Sequence, residues 1–231
     1  MNRSRLHLSL FLLLNVLLSG LISCKDTDIN LPPSPDMGYE YFPLKPGQRS
    51  FYQVDSIAWN DFSKTVDTFS YQLKDTIAGL IYNELSGDSI FLMDRYQREN
   101  AFYEWSFSRT ITLIRQEKRA EYNDENTRYV KMVFPVSAGI TWNGNAYNSL
   151  PPQDYCYLQT GAAYMLPDGS SIPAALVRQL DNQNLIREEY AEETYGKDFG
   201  LLKRYVKMLD KDINTGAITS GYIYLQVYTG N

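Results

Sequence analysis

The chain has 231 residues, with 22 Lys and Arg against 27 Asp and Glu, a formal charge of −5, one histidine and two cysteines. An acidic surface repels phosphate backbones, so nucleic acid is excluded as the expected partner. The one imidazole, His7, lies in an apolar leader, and the rest of the chain therefore holds no Ser-His or Cys-His nucleophile and no histidine-bearing zinc site.

The leader begins at Arg3 and Arg5, continues through LHLSLFLLLNVLLSGLIS and stops at Cys24. A basic start, a short apolar middle and small residues before a cleavage point mark a targeting segment that is marginal for spanning a bilayer. Leu21-Ile22-Ser23-Cys24 resembles the lipobox of bacterial lipoproteins. That resemblance implies removal of residues 1–23 and acylation of Cys24, where several acyl chains hold stably and one holds only reversibly. An ordinary secreted protein with a coincidental cysteine is the alternative. Loss of Arg3 and Arg5 leaves 20 Lys and Arg against 27 Asp and Glu, a net charge of −7. With Cys24 acylated, Cys156 has no partner for an internal disulfide. Residues 24–40, ending in LPPSPDMGYE, read as an extended tether. Residues 41–231 then suffice for one β-rich domain, with possible halves at 41–132 and 133–231.

The body opens on a corner, Phe42-Pro43-Leu44-Lys45-Pro46-Gly47, that returns 92 positions later as Phe134-Pro135-Val136-Ser137-Ala138-Gly139. Proline ends ladder pairing and the glycine lets the chain turn into a new strand, so each half is expected to open on this corner. Period-two alternation follows: Phe69, Tyr71 and Leu73 share one strand face, and Val130, Met132, Phe134 and Val136 share another. After the second corner, Trp142-Asn143-Gly144-Asn145 and Tyr147 carry a tight reversal clamped by two aromatic rings. Trp142, Asn143, Asn145 and Tyr147 are also the first candidates for a ligand platform. In DYCYLQ, Cys156 shares a face with Leu158, opposite Tyr155 and Tyr157, and reads as a buried, inert thiol. PAALVRQL, residues 173–180, is the best helical rival, at two turns.

Glu188, Glu189, Glu192 and Glu193 form the densest acidic group, with Glu188 and Glu192 on one strand face and Glu189 and Glu193 on the other. A solvated strand face is the expected role, and a glycosidase carboxyl pair the rival. Asp210, Asp212 and Asn214 alternate like a calcium loop, but Thr215 stands where an EF-hand needs glycine, and a hairpin turn is the reading. In the last strand Tyr222, Tyr224 and Tyr228 face away from Ile223, Leu225 and Val227. All 19 tyrosines follow the leader, and a tyrosine-lined face suits a glycan or an envelope protein partner as well as a second core layer.

Short alternating runs broken by LSGDS, EYNDENTR, LPDGSS and LDNQN predict an all-β protein with little helix: curved antiparallel sheet, two related halves forming a sandwich or a half-barrel. The lipobox, YFPLKPGQRSFYQVDSI, FPVSAGITWNGNAYN and ETYGKDFGLLKRY together resemble a group of uncharacterised lipoproteins of Bacteroidota-type bacteria. The resemblance implies a β-rich fold at the outer membrane, on its periplasmic side or the cell surface. Lys25, in place of Asp after the cysteine, fits that sorting, and no site residue carries over. The expected function is non-catalytic binding or assembly through the tyrosine face, without a cofactor. The alternatives are a carrier of an apolar small molecule in a half-barrel, or an acidic glycoside hydrolase.

Overall fold

The computed structural model describes residues 35–83 and 88–230; Cys24, the leader and residues 24–34 of the expected tether lie outside the described residues. The strands are β1 (Arg49–Asn60), β2 (Thr65–Asn83), β3 (Asp88–Arg98), β4 (Ser106–Arg115), β5 (Arg119–Asp124) and β6 (Thr127–Val133). They continue as β7 (Thr141–Asn143), β8 (Asp154–Met165), β9 (Ser171–Gln183), β10 (Arg187–Gly196), β11 (Gly200–Lys211) and β12 (Ile218–Gly230). A 3₁₀ turn at Tyr39–Tyr41 is the one helical element among the described residues. PAALVRQL is therefore strand, within β9; its β-branched and small residues meet ladders on both sides.

All twelve strands form one antiparallel sheet in the order β6-β5-β4-β3-β2-β1-β12-β11-β10-β9-β8-β7. Each strand pairs with its chain neighbour, and β1 and β12 join the two six-stranded runs from Phe51 opposite Gly230 to Trp59 opposite Gly221. The sheet curves into a nearly closed barrel until its edges, β6 and β7, meet. Side chains do most of the closing there. The Val130 N–H donates to the Gly144 carbonyl at 2.9 Å, the Trp142 indole N–H donates to the Val130 carbonyl at 2.9 Å, and the Asn148 amide donates to the Arg128 carbonyl at 2.9 Å. The Tyr157 hydroxyl donates to the Val133 carbonyl at 2.7 Å and accepts its N–H at 3.1 Å. These bonds satisfy backbone groups that an open edge would leave exposed to pairing with another chain.

Turns in such a meander fall alternately at two ends. One end is plugged by residues 36–48. Tyr41, Phe42 and Leu44 are buried there against Phe134 and Tyr195, and the Val136 N–H donates to the Met37 carbonyl at 3.0 Å. The packed body thus starts near Met37, inside the stretch expected to be tether, because Met37 and Tyr39 also pack on the core. Both proline corners lie at this end; the Phe134–Pro135 peptide is cis and the Phe42–Pro43 peptide is not, but the two glycines share a conformation. Gly47 and Gly139 hold φ of +84° and +85°. Their N–H groups donate at 2.8 Å to Ile77 in β2 and Tyr157 in β8, the second strand of each run. Glycine is required at both because that φ crowds a Cβ.

The barrel interior carries Val54, Ile111, Tyr157, Val177 and Leu202, all essentially inaccessible. Three faces differ from expectation. The tyrosine side of β12 points inward beside the inaccessible Gln226, and Ile223, Leu225 and Val227 point outward, half-buried. Cys156 is half-buried on the outer face, since Tyr155 and Tyr157 take the inside. A bulge in β6 sets Ala120 opposite Met132 and Glu121 opposite Val130. Val130 and Met132, expected to share a face, therefore fall on opposite faces, and Lys131 between them is buried inside.

Candidate functional site

The end opposite the plug is open. A cleft of about 480 Å³ enters there, lined by Tyr129 and Tyr155 on one side and Leu180, Ala191, Val206 and Met208 on the other. Its floor is a buried network centred on Glu193, which is inaccessible to solvent. Oε1 of Glu193 accepts from the Lys131 ammonium at 3.0 Å and from Arg204 Nε at 2.6 Å. Oε2 accepts from the Gln179 amide and the Tyr195 hydroxyl, each at 2.6 Å. Five residues from β6, β9, β10 and β11 thus meet inside the barrel, because each strand turns the same side of its pleat inward.

The electrostatics follow from burial. Burial pushes the Glu193 carboxyl up, but Lys131 and Arg204 outweigh it and hold the group down at about 2. Burial draws Lys131 below the ordinary lysine value, with Glu193 opposing. Burial raises the Tyr195 and Tyr155 hydroxyls, and the Glu193 charge adds to the effect. Both are neutral at physiological pH, and Tyr195 donates to Glu193.

Arg204 and Tyr122 also line a second, smaller cavity of about 80 Å³ towards the plug, among Phe42, Leu44, Met93 and Leu113. Its polar wall is the pair Asp75–Arg95, joined by two hydrogen bonds of 2.7 and 2.6 Å with both side chains buried. The Arg204 guanidinium stands 5.7 Å from the Tyr122 ring centre, so these two residues form the partition between the spaces.

The predicted site residues are dispersed. Tyr222 is 43% exposed, Tyr224 is half-buried and Tyr228 is buried. Register sets Tyr222 and Tyr224 opposite the cleft residues Met208 and Val206, whereas Tyr228 packs against Tyr52 and Phe199 towards the plugged end. Burial lifts the Tyr224 hydroxyl to about 12, and it donates to Gln226 Oε1 at 2.9 Å. The polar groups of Trp142, Asn143 and Asn145 are committed to the seam and its loop. Asn143 Oδ1 accepts the N–H of Asn145 and of Gln153, each at 3.0 Å, and Asn145 Nδ2 donates to the Pro151 carbonyl at 2.7 Å. Gly144 lets the Tyr155 ring approach so closely that an added Cβ would stand 2.3 Å from it. Tyr147 lies on the outer wall under Arg119 and Arg128, whose guanidinium carbons are 4.6 and 5.1 Å from its ring centre. The two arginines enclose Glu121, another buried carboxylate.

The acidic group splits between faces as its spacing predicts, but it is not a solvated strand face. Glu188 is paired with Lys207 and Lys211, whose hydrogen bonds hold it down at about 2. Glu192 is paired with Lys203 and Tyr190, and Glu189 accepts from Asn182. A glycosidase acid needs a carboxyl raised towards neutrality, and Glu188 and Glu193 are shifted the other way. In the 212–217 turn, Asp212 Oδ1 accepts the N–H groups of Asn214 and Thr215 and the Thr215 hydroxyl, and Asp210 accepts from Ser220. This is hairpin chemistry. Among the described residues no cluster of three or more His, Cys, Asp or Glu is placed to hold a metal.

Sequence reasoning missed Lys131, Arg204 and Gln179. Each sits in an ordinary alternating run, and its partner on Glu193 is 62, 11 or 14 positions away.

No protein family matches the chain, and no curated protein does. Among solved structures it is similar to a candidate exported protein with a YmcC-like fold from Bacteroides fragilis NCTC 9343, at 9% identity and a TM-score of 0.42, over 81% of this chain and 96% of that one. It is similar also to a candidate lipoprotein from Parabacteroides distasonis ATCC 8503, at 11% identity and a TM-score of 0.40, over 80% and 96%. A DUF1329 family protein from Desulfovibrio piger ATCC 29098 matches at 11% identity and a TM-score of 0.22, over 84% and 89%.

Proposed function

We propose that the chain is a non-catalytic binding protein of the cell envelope, held at the outer membrane by acylated Cys24, and that the open end of its barrel takes up a small molecule. The observation that carries this reading is the cleft of about 480 Å³, which is walled by aliphatic, tyrosine and a few polar side chains and floored by an assembled polar network. Binding pockets combine a largely apolar lining with a few fixed polar groups in this way. The tyrosine face enters the reading in altered form. Tyr222 and Tyr224 belong to a concave inner wall, and Tyr228 lies too deep to take part. The buried charges at the floor disfavour a wholly apolar cargo, because such a ligand would cover them without offering a counter-group.

Nile red, a neutral dye that brightens in apolar surroundings, tests the site. It is expected to bind the purified protein saturably at one dye per chain. Ala191→Phe, which adds a ring where Ala191 lines the cleft, should abolish that binding while the far-ultraviolet circular dichroism is unchanged. Undiminished dye binding by a folded Ala191→Phe protein would locate the site elsewhere. The anchor has its own test: Cys24→Ser should move the protein from the membrane fraction to the soluble fraction, and retention in the membrane would refute acylation.

A further inference from the structure

Resting on the cleft reading, we infer that the ligand is a small organic monoanion: one anionic head group on an apolar or aromatic body. The floor of the cleft supplies the first half of the argument. Lys131 and Arg204 are two cations converging on a single carboxylate oxygen of Glu193, and the three side chains are 9%, 17% and 0% exposed. The neighbouring charges do not redress the balance. Asp75 and Arg95 close on each other, and Arg109 stands 3.0 Å from Asp124. The surplus acids lie nearer the rim, and Glu189, at 24% exposed, is the least exposed of them. Glu125 is 79% exposed, and Arg187 is shared at the rim by Glu189 and Asp210. Solvent screens those outer charges, whereas a charge in the buried floor is costly until a counter-charge reaches it. One positive charge in excess matches one negative charge on a ligand, and a second would find no partner.

The walls supply the other half. Above the floor the β9–β11 side of the lining is apolar at Leu180, Ala191, Val206 and Met208, while Asp124, Glu125, Thr127, Asn145 and Gln153 line the rest. The inner face continues outward through Tyr224 and Tyr222, and the turns of the same end carry Phe62, Leu185 and Ile213 with their side chains largely exposed. Charge at depth beneath an apolar wall on one side fits an amphiphile entering head first.

The test is displacement of Nile red from the purified protein by decanoate and by decanol, which share a chain and differ in the head group. Decanoate is expected to displace the dye at a concentration at least tenfold lower than decanol. Lys131→Met, which keeps the length and apolar stem of the side chain, should narrow that gap about tenfold and leave decanol where it was. Equal displacement by the two compounds in the unmodified protein would overturn the monoanion inference and leave the cleft reading standing. Failure of both to displace the dye would overturn the cleft reading and the inference with it. The comparison in the unmodified protein decides the matter even if the Lys131 variant does not fold.

Discussion

Replacing Glu193 by glutamine tests the network at its centre. Glutamine preserves shape and can still meet Gln179 and Tyr195, but it leaves Lys131 and Arg204 as buried cations without a counter-charge. Removing one partner of a buried ion pair costs about 3–5 kcal/mol, a large part of a typical folding stability of roughly 5–15 kcal/mol. The pH dependence gives a second, independent figure. The carboxyl is held at about 2 in the folded protein against an ordinary 4.5. At about 1.4 kcal/mol per pH unit of difference this amounts to roughly 3 kcal/mol. Because the folded value is the lower one, this contribution is complete above about pH 4.5 and is lost as pH falls towards 2. Urea unfolding at pH 7, 5, 4 and 3 measures both quantities. The unmodified protein should lose stability more steeply below pH 4.5 than Glu193→Gln, so the gap between the two should shrink with acidity. The difference cancels other acids, Glu188 included. Parallel curves from pH 5 to pH 3 would show that Glu193 is not the buried anion described.

Three other outcomes follow from particular contacts. Trp142→Phe keeps a ring at the seam but deprives the Val130 carbonyl of its indole donor. It should cost about 1–3 kcal/mol in urea unfolding, or a few degrees of melting temperature per kcal/mol, with faster hydrogen exchange at the Val130 amide. Gly47→Ala and Gly139→Ala put a Cβ at the same positive φ with open space around it. They should destabilise equally, by about 1–2 kcal/mol each, and a clear inequality in unfolding midpoints would deny that the two glycine positions are equivalent. Gly144→Ala drives a Cβ into the Tyr155 ring. It should cost about 1–3 kcal/mol from overpacking and perturb the near-ultraviolet circular dichroism of the tyrosines, whereas neutrality would contradict the close approach.

Much of the wall was legible. Alternation located β2, β6, β10 and β12, the split of Glu188 and Glu192 from Glu189 and Glu193 held, and the F-P corner marked the start of each six-stranded run. What alternation cannot supply is the sign of a face. In β12 one side is aliphatic and the other tyrosine, and a barrel interior too wide for aliphatic side chains alone takes the larger, polar-tipped set. Cys156 went the wrong way for the same reason: its neighbours Tyr155 and Tyr157 fill the interior better than a thiol does. Lys131 was hidden by one inserted residue, since the bulge beside it shifts the face of everything that follows. The floor of the cleft was invisible because a charge network is a property of several strands at once, and a lone Lys, Arg, Gln or Glu in a strand reads as solvent-facing.

The junction of β6 and β7 has a consequence for how the barrel breathes. Every other join is a ladder of backbone hydrogen bonds, broken only by separating two strands along their length. This one has, among the described residues, a single backbone bond, from the Val130 N–H to the Gly144 carbonyl, and otherwise hangs on an indole, an amide and a phenol, each of which leaves by rotating about its own side-chain bonds. Local opening takes the path of least free energy, so the wall works as a cuff with a clasp: the clasp yields first, and the β1–β12 spine keeps the two halves together while it does.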